Sequence, residues 1–157
     1  MRQVNRDLTL MCKIQASIFE KSIDLLDCSS PILIKNYMHS DIARSMDDLF
    51  FLNTTISDER VLQDMNTLSF GSIKYTKDQM HWMGYFYRYV SYIYEIDSKR
   101  LFKVIPETML IKYYIPGCLE NIDKVFNEIV KANNIAIFDS DYLFKKTEQN
   151  IKEMING

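Results

Sequence analysis

The chain has 157 residues and a mass of 18.6 kDa, the size of one compact domain able to bury its own core. Its 19 Lys and Arg stand against 21 Asp and Glu, so it lacks the basic excess of a dedicated non-specific nucleic-acid binder. The four glycines, Gly71, Gly84, Gly117 and Gly157, stand isolated, which excludes the glycine-rich phosphate-binding loops.

In chain order, the polar N-terminus runs into an apolar stretch, Leu8 to Cys12, that is too short for a signal-peptide core or a membrane span. Met11, Ile14, Ile18 and Leu25 recur at helical spacing, which predicts a helix from about Leu10 to Asp27. Ser30 as N-cap with Pro31 at the first helical position predicts a second helix, with Ile34, Tyr37, Met38, Ile42, Met46 and Leu49 on its apolar face. Asn53-Thr54-Thr55 reads as a loop. Ser57, followed by Asp58 and Glu59, opens a shorter helix that buries Val61, Leu62, Met65 and Leu68. Ser69 to Tyr75 reads as extended or as a turn.

Thr76-Lys77-Asp78-Gln79 is a capping box, and the helix it opens runs to about Ile96. Asp97-Ser98 restarts a short helix through Lys103. Pro106-Glu107 opens another through Tyr114, and Pro116-Gly117 is a turn. Leu119 to Ala132 is amphipathic and ends at Asn133-Asn134. The apolar segment 135–138 reads as a minor β element or a packed loop. Leu143 to Ile155 forms a last helix with Lys145, Lys146, Glu148, Lys152 and Glu153 exposed. The expectation is a single all-α domain over 1–157, with 133–157 as a C-terminal extension.

The capping-box helix is the centre of that expectation. Met80, Met83, Tyr87, Val90 and Tyr94 form one stripe, and Trp82, Phe86, Tyr89 and Ile93 another, as in a helix surrounded by core. Gly84 costs ~1 kcal/mol at mid-helix relative to Ala, a cost explained by a helix crossing backbone-close. His81, Tyr85, Arg88, Tyr92 and Glu95 share a third face. Tyr and Arg dominate protein–protein hot spots, so this face reads as a partner-binding surface. The alternative is a half-buried seam in which tyrosine hydroxyls meet backbone groups and Arg88 pairs with an acid.

Few chemistries fit the remaining residues. His39 and His81 lie on different helices, and no zinc or calcium motif is present, so no metal or cofactor is expected. Three widely spaced cysteines, Cys12, Cys28 and Cys118, suit reduced thiols in a cytoplasm. Asp47-Asp48 is a poor acid/base dyad because adjacent helical residues point apart. Lys99, Arg100, Lys103 and Lys112 flank Pro106 on two short helices, a pattern open to a DNA-binding helix-turn-helix.

Three stretches resemble one bacterial family. They are Ser29-Ser30-Pro31-Ile32-Leu33-Ile34-Lys35, then Met46-Asp47-Asp48-Leu49 with Phe51-Leu52-Asn53, and Gly71 to Ile105. The last contains Lys74-Tyr75, Trp82-Met83-Gly84-Tyr85, Tyr87-Arg88-Tyr89, Tyr92-Ile93-Tyr94-Glu95 and Ser98-Lys99. The family consists of small, largely uncharacterised proteins encoded in toxin–antitoxin-like cassettes beside predicted ADP-ribosyltransferase toxins. The similarity spans about residues 17–130 and contains no catalytic signature. It departs at Arg88-Tyr89-Val90, where the family reads Arg-Tyr-Trp, and at Gly117-Cys118, where the family has a Tyr-His-Thr turn. The resemblance implies a protein partner, such as an ADP-ribosyltransferase-like toxin, and an antitoxin-like role without enzymatic activity. The alternatives are a DNA-binding autoregulator and a toxin or small enzyme with an unrecognised site.

Overall fold

Thr76 accepts a hydrogen bond from the Gln79 amide at 3.1 Å, and the Gln79 side chain accepts one from the Thr76 amide at 2.9 Å. This capping box opens the central helix of the computed structural model, which describes residues 1–48, 56–65, 71–138 and 140–156, the side chains of 140–142 excepted. The chain is all-α: α1 (Arg6–Leu25), α2 (Ser30–Met38), α3 (Asp41–Asp47), α4 (Asp58–Asp64), α5 (Lys77–Ile93), α6 (Ser98–Val104), α7 (Glu107–Leu110), α8 (Tyr114–Gly117), α9 (Ile122–Ala132) and α10 (Ser140–Asn156). A 3₁₀ turn over Ile111–Tyr113 joins α7 to α8, which is not a regular helix: its backbone kinks at Ile115, where φ is -113° and ψ 122°.

Caps account for most of the boundaries. Asn5, Ser57, Asp97 and Asn121 each accept a backbone N–H at the start of α1, α4, α6 and α9. The helix expected to run on from Ser30 divides in two. Ser40 caps a new helix, accepting from the Ala43 amide at 3.2 Å, so α2 ends at Met38 and α3 starts afresh. The first cap of that pair is Ser29, one residue earlier than read from Pro31. Helix α5 stops at Ile93, and Glu95 takes a left-handed φ of 55°. Lys74 reaches back to the carbonyls of Ile23 and Leu26, satisfying acceptors at the end of α1. Among the described residues 135–138 contains no strand: it is a loop, with Ile135 and Ile137 packed on the core. Leu49, the 53–55 loop, Leu68 and the start of the 69–75 segment lie outside the described residues.

Helix α5 is the hub. Met80, Met83, Phe86, Tyr87 and Val90 are buried on it, and Trp82, Tyr89 and Tyr94 pack half-buried against the same core. Helix α1 crosses it most closely, at Gly84. A Cβ on Gly84 would lie 2.9 Å from both the Ala16 Cα and the Gln15 carbonyl oxygen. The glycine therefore sets the distance between the two longest core helices. Helix α9 is tied on by Asp123, whose two carboxylate oxygens accept from Tyr89 (2.8 Å) and Tyr94 (2.7 Å).

Candidate functional site

The face read as a partner surface divides by burial. Arg88 is 1% exposed and Tyr92 is buried. Tyr85 is half-buried against the small core cluster that contains Leu8, Met11 and Met46, while His81 and Glu95 are exposed. His81 lies 3.1 Å from Glu20 of α1, and Glu95 lies 3.5 Å from Arg2. The cation over the Tyr92 ring is Arg2, at 4.9 Å, and Asn5 donates to the Tyr92 hydroxyl. The face is thus mostly an internal seam, because the N-terminal segment covers Tyr92 and α3 covers Arg88.

Arg88 organises that seam. Its Nη1 donates to Asp47 Oδ1 at 2.7 Å, its Nη2 to Ser98 Oγ at 2.8 Å, and its Nε to Gln15 Oε1 at 2.9 Å. Asp47 in turn accepts from the Ser98 hydroxyl (2.7 Å) and the Ser98 amide (2.9 Å). Gln15 donates to the Gly84 carbonyl at 2.9 Å. One guanidinium therefore joins α1, α3, α5 and α6, and no buried described side-chain polar atom is left without a partner. The pairing answers the question the sequence left open: Arg88 is held by an acid in the interior.

Behind Asp47 the surface opens into a recess of about 1020 Å³, bordered by the N-terminal segment and helices α2, α3, α6 and α10. Lys35 of α2 and His39, the C-cap of that helix, stand one turn apart, and Lys99 and Lys103 stand one turn apart on α6. Lys145 and Lys146 face them from α10. His39 meets Phe102 edge-on, with ring centroids 5.7 Å apart, on the same wall. The carboxylates here are largely engaged: Asp47 by Arg88 and Ser98, Glu95 by Arg2, and Asp97 as the cap of α6. Asp48 is exposed at the end of α3, and its pKa is raised, first by partial desolvation of its carboxylate and then by the neighbouring Asp47 charge.

Of the candidate nucleic-acid cations, Lys99 and Lys103 open into this recess and Lys112 does not line it. Arg100 also borders it, but its guanidinium donates to the carbonyls of Ala136 and Ile137, holding the 135–138 loop. Helix α7, the second element of the expected helix-turn-helix, spans four residues and continues as the 3₁₀ turn over Ile111–Tyr113. Lys35, His39 and Lys145 were missed by the sequence reading. Their only signal there was the i,i+4 spacing of Lys35 with His39.

The second surface is α10. Its apolar residues fall on one stripe, and that stripe faces solvent: Phe144 is 67% and Met154 82% exposed, with Leu143, Ile151 and Ile155 exposed beside them. Its opposite, polar side carries Lys145, Lys146, Gln149 and Glu153 toward the recess. Lys146 donates to the Glu95 carbonyl at 2.8 Å. Among the described residues no group of His, Cys, Asp and Glu is placed to hold a metal, and no helix is long and apolar enough to cross a membrane. No family model, no curated protein and no solved structure matches the chain.

Proposed function

We propose that the chain is a non-enzymatic, cytoplasmic protein-binding component of a bacterial toxin–antitoxin or related defence module, acting by holding or occluding a partner protein. The observation that carries the reading is the outward apolar stripe of α10. An amphipathic helix normally turns such a stripe to its own core, and here it is available to another molecule. The occupant that fits is a protein with an apolar groove, engaged by Phe144, Ile151, Met154 and Ile155 at helical spacing. The charges of α10 balance, three lysines against three acids, which argues against capture by an anionic lipid surface. The resemblance between residues 17 and 130 supplies the expected context, with an ADP-ribosyltransferase-like toxin as the expected partner.

Co-expression with the product of the neighbouring gene tests the reading. The expected result is co-purification that is lost in Phe144→Glu/Ile151→Glu while the isolated chain keeps its helical signal. Failure to co-purify, or co-purification indifferent to both changes, overturns it. Growth arrest on expressing the chain alone favours a toxin or small enzyme instead. A DNA-binding autoregulator requires steeply salt-dependent binding to its own promoter.

A further inference from the structure

We propose that the recess between α2, α6 and α10 is a binding site for a small phosphorylated ligand carrying an aromatic ring, of the nucleotide class. This site is separate from the outward stripe of α10. Seven Lys and Arg line the recess against five carboxylates, in a chain whose net charge is -2. Lys35, Lys99, Lys103 and Lys145 have no ion-pair partner among the described residues, whereas most of the carboxylates here are engaged. Like charges gathered from three helices repel one another, and their cost is offset when an anion joins them.

The shape of the site narrows the ligand. A partly open recess of about 1020 Å³ lies at the upper end of the range for small-molecule sites. Lys99 and Lys103, at i,i+4 on α6, give one short cationic row for a polyphosphate, and Lys35 of α2 and Lys145 of α10 add single charges from two other sides. The edge-on pair of His39 and Phe102 supplies an aromatic wall on which a base can pack. Gln149 and Asn150 of α10 supply amide donors and acceptors for its edge.

Calorimetric titration of the full chain with ATP, and separately with inorganic tripolyphosphate, tests this at low salt. The expected result is saturable binding of both, tighter for ATP and weakening as salt rises. Lys99→Gln/Lys103→Gln is expected to weaken both by about tenfold or more. Phe102→Leu is expected to weaken ATP and spare tripolyphosphate. Lys13→Gln/Lys131→Gln, exposed positions outside the recess, should change neither. Phe144→Glu/Ile151→Glu should leave ATP binding intact, which separates this proposal from the protein-binding one. Absence of saturable ATP binding at millimolar concentration overturns the proposal. So does ATP binding that survives loss of both lysines in a variant of unchanged helicity, or a preference for duplex DNA over ATP.

Discussion

Arg88 Nη1 sits 2.7 Å from Asp47 Oδ1, with the arginine side chain only 1% exposed, so the central helix carries a fully desolvated cation closed by an acid from α3. Removing one member of such a pair leaves the other buried and uncompensated, at a cost of roughly 3–5 kcal/mol. Arg88→Ala is expected to destabilise by that amount in urea unfolding. Asp47→Ala should act in the same direction, somewhat less because Asp47 is nearer solvent. The double variant should lose less than the sum, a coupling that a double-mutant cycle measures directly.

Gly84→Ala should destabilise even though Ala is the better helix former. The gain in propensity is ~1 kcal/mol, while overpacking typically costs about 1–3 kcal/mol. The atoms in the way are backbone, at 2.9 Å on α1, and they yield only if the whole helix moves. That movement also draws Gln15 away from Arg88. Thermal unfolding should show a lower Tm, and lower again for Gly84→Val.

The thiols should divide by accessibility. Cys12 and Cys28 are buried, and burial pushes the Cys12 thiol up to about 12, far from the thiolate form that reacts. Cys118 is exposed. Ellman's reagent should titrate one thiol in the native chain and all three after denaturation. Two fast native thiols would show that the α1 face around Cys12 or the α1–α2 connection around Cys28 opens in solution.

Asp48 gives a pH prediction with a definite sign. Its folded pKa is raised, so ionisation disfavours the folded state. The stability tied to its protonated form is fully present below the unfolded value of roughly 3.9 and is lost as pH rises through the higher folded value. Asp48→Asn is therefore expected to raise the Tm at neutral pH. The advantage over wild type should shrink as pH falls below ~4. An equal gap at both pH values would show that the effect is not electrostatic.

The α10 stripe should matter for association and not for folding. Ile151→Ser and Met154→Ser remove exposed apolar groups, so stability should stay within about 0.5 kcal/mol of wild type. Retention of the isolated chain on hydrophobic interaction resin should fall. A large loss of stability would mean that the stripe packs on the body of the molecule in solution.

The sequence alone determined the all-α class and the central helix, though not every helix boundary. Capping groups such as Thr76 with Gln79, Ser57 and Asp97 act within three residues of themselves, so their chemistry is legible without a fold, and the aromatic stripes of α5 announce a helix surrounded on most sides. A close crossing at Gly84 was one explanation the sequence offered for a mid-helix glycine. Tertiary structure alone decided what each polar side chain meets. Arg88 and Asp47 are 41 positions apart, and helical spacing gives a shared face but not what covers that face. Lys35, Lys99 and Lys145 become one recess only because α2, α6 and α10 converge. Periodicity likewise fixes the stripe of α10 but not its direction, since the side that turns inward depends on the shape and charge of the surface beneath it.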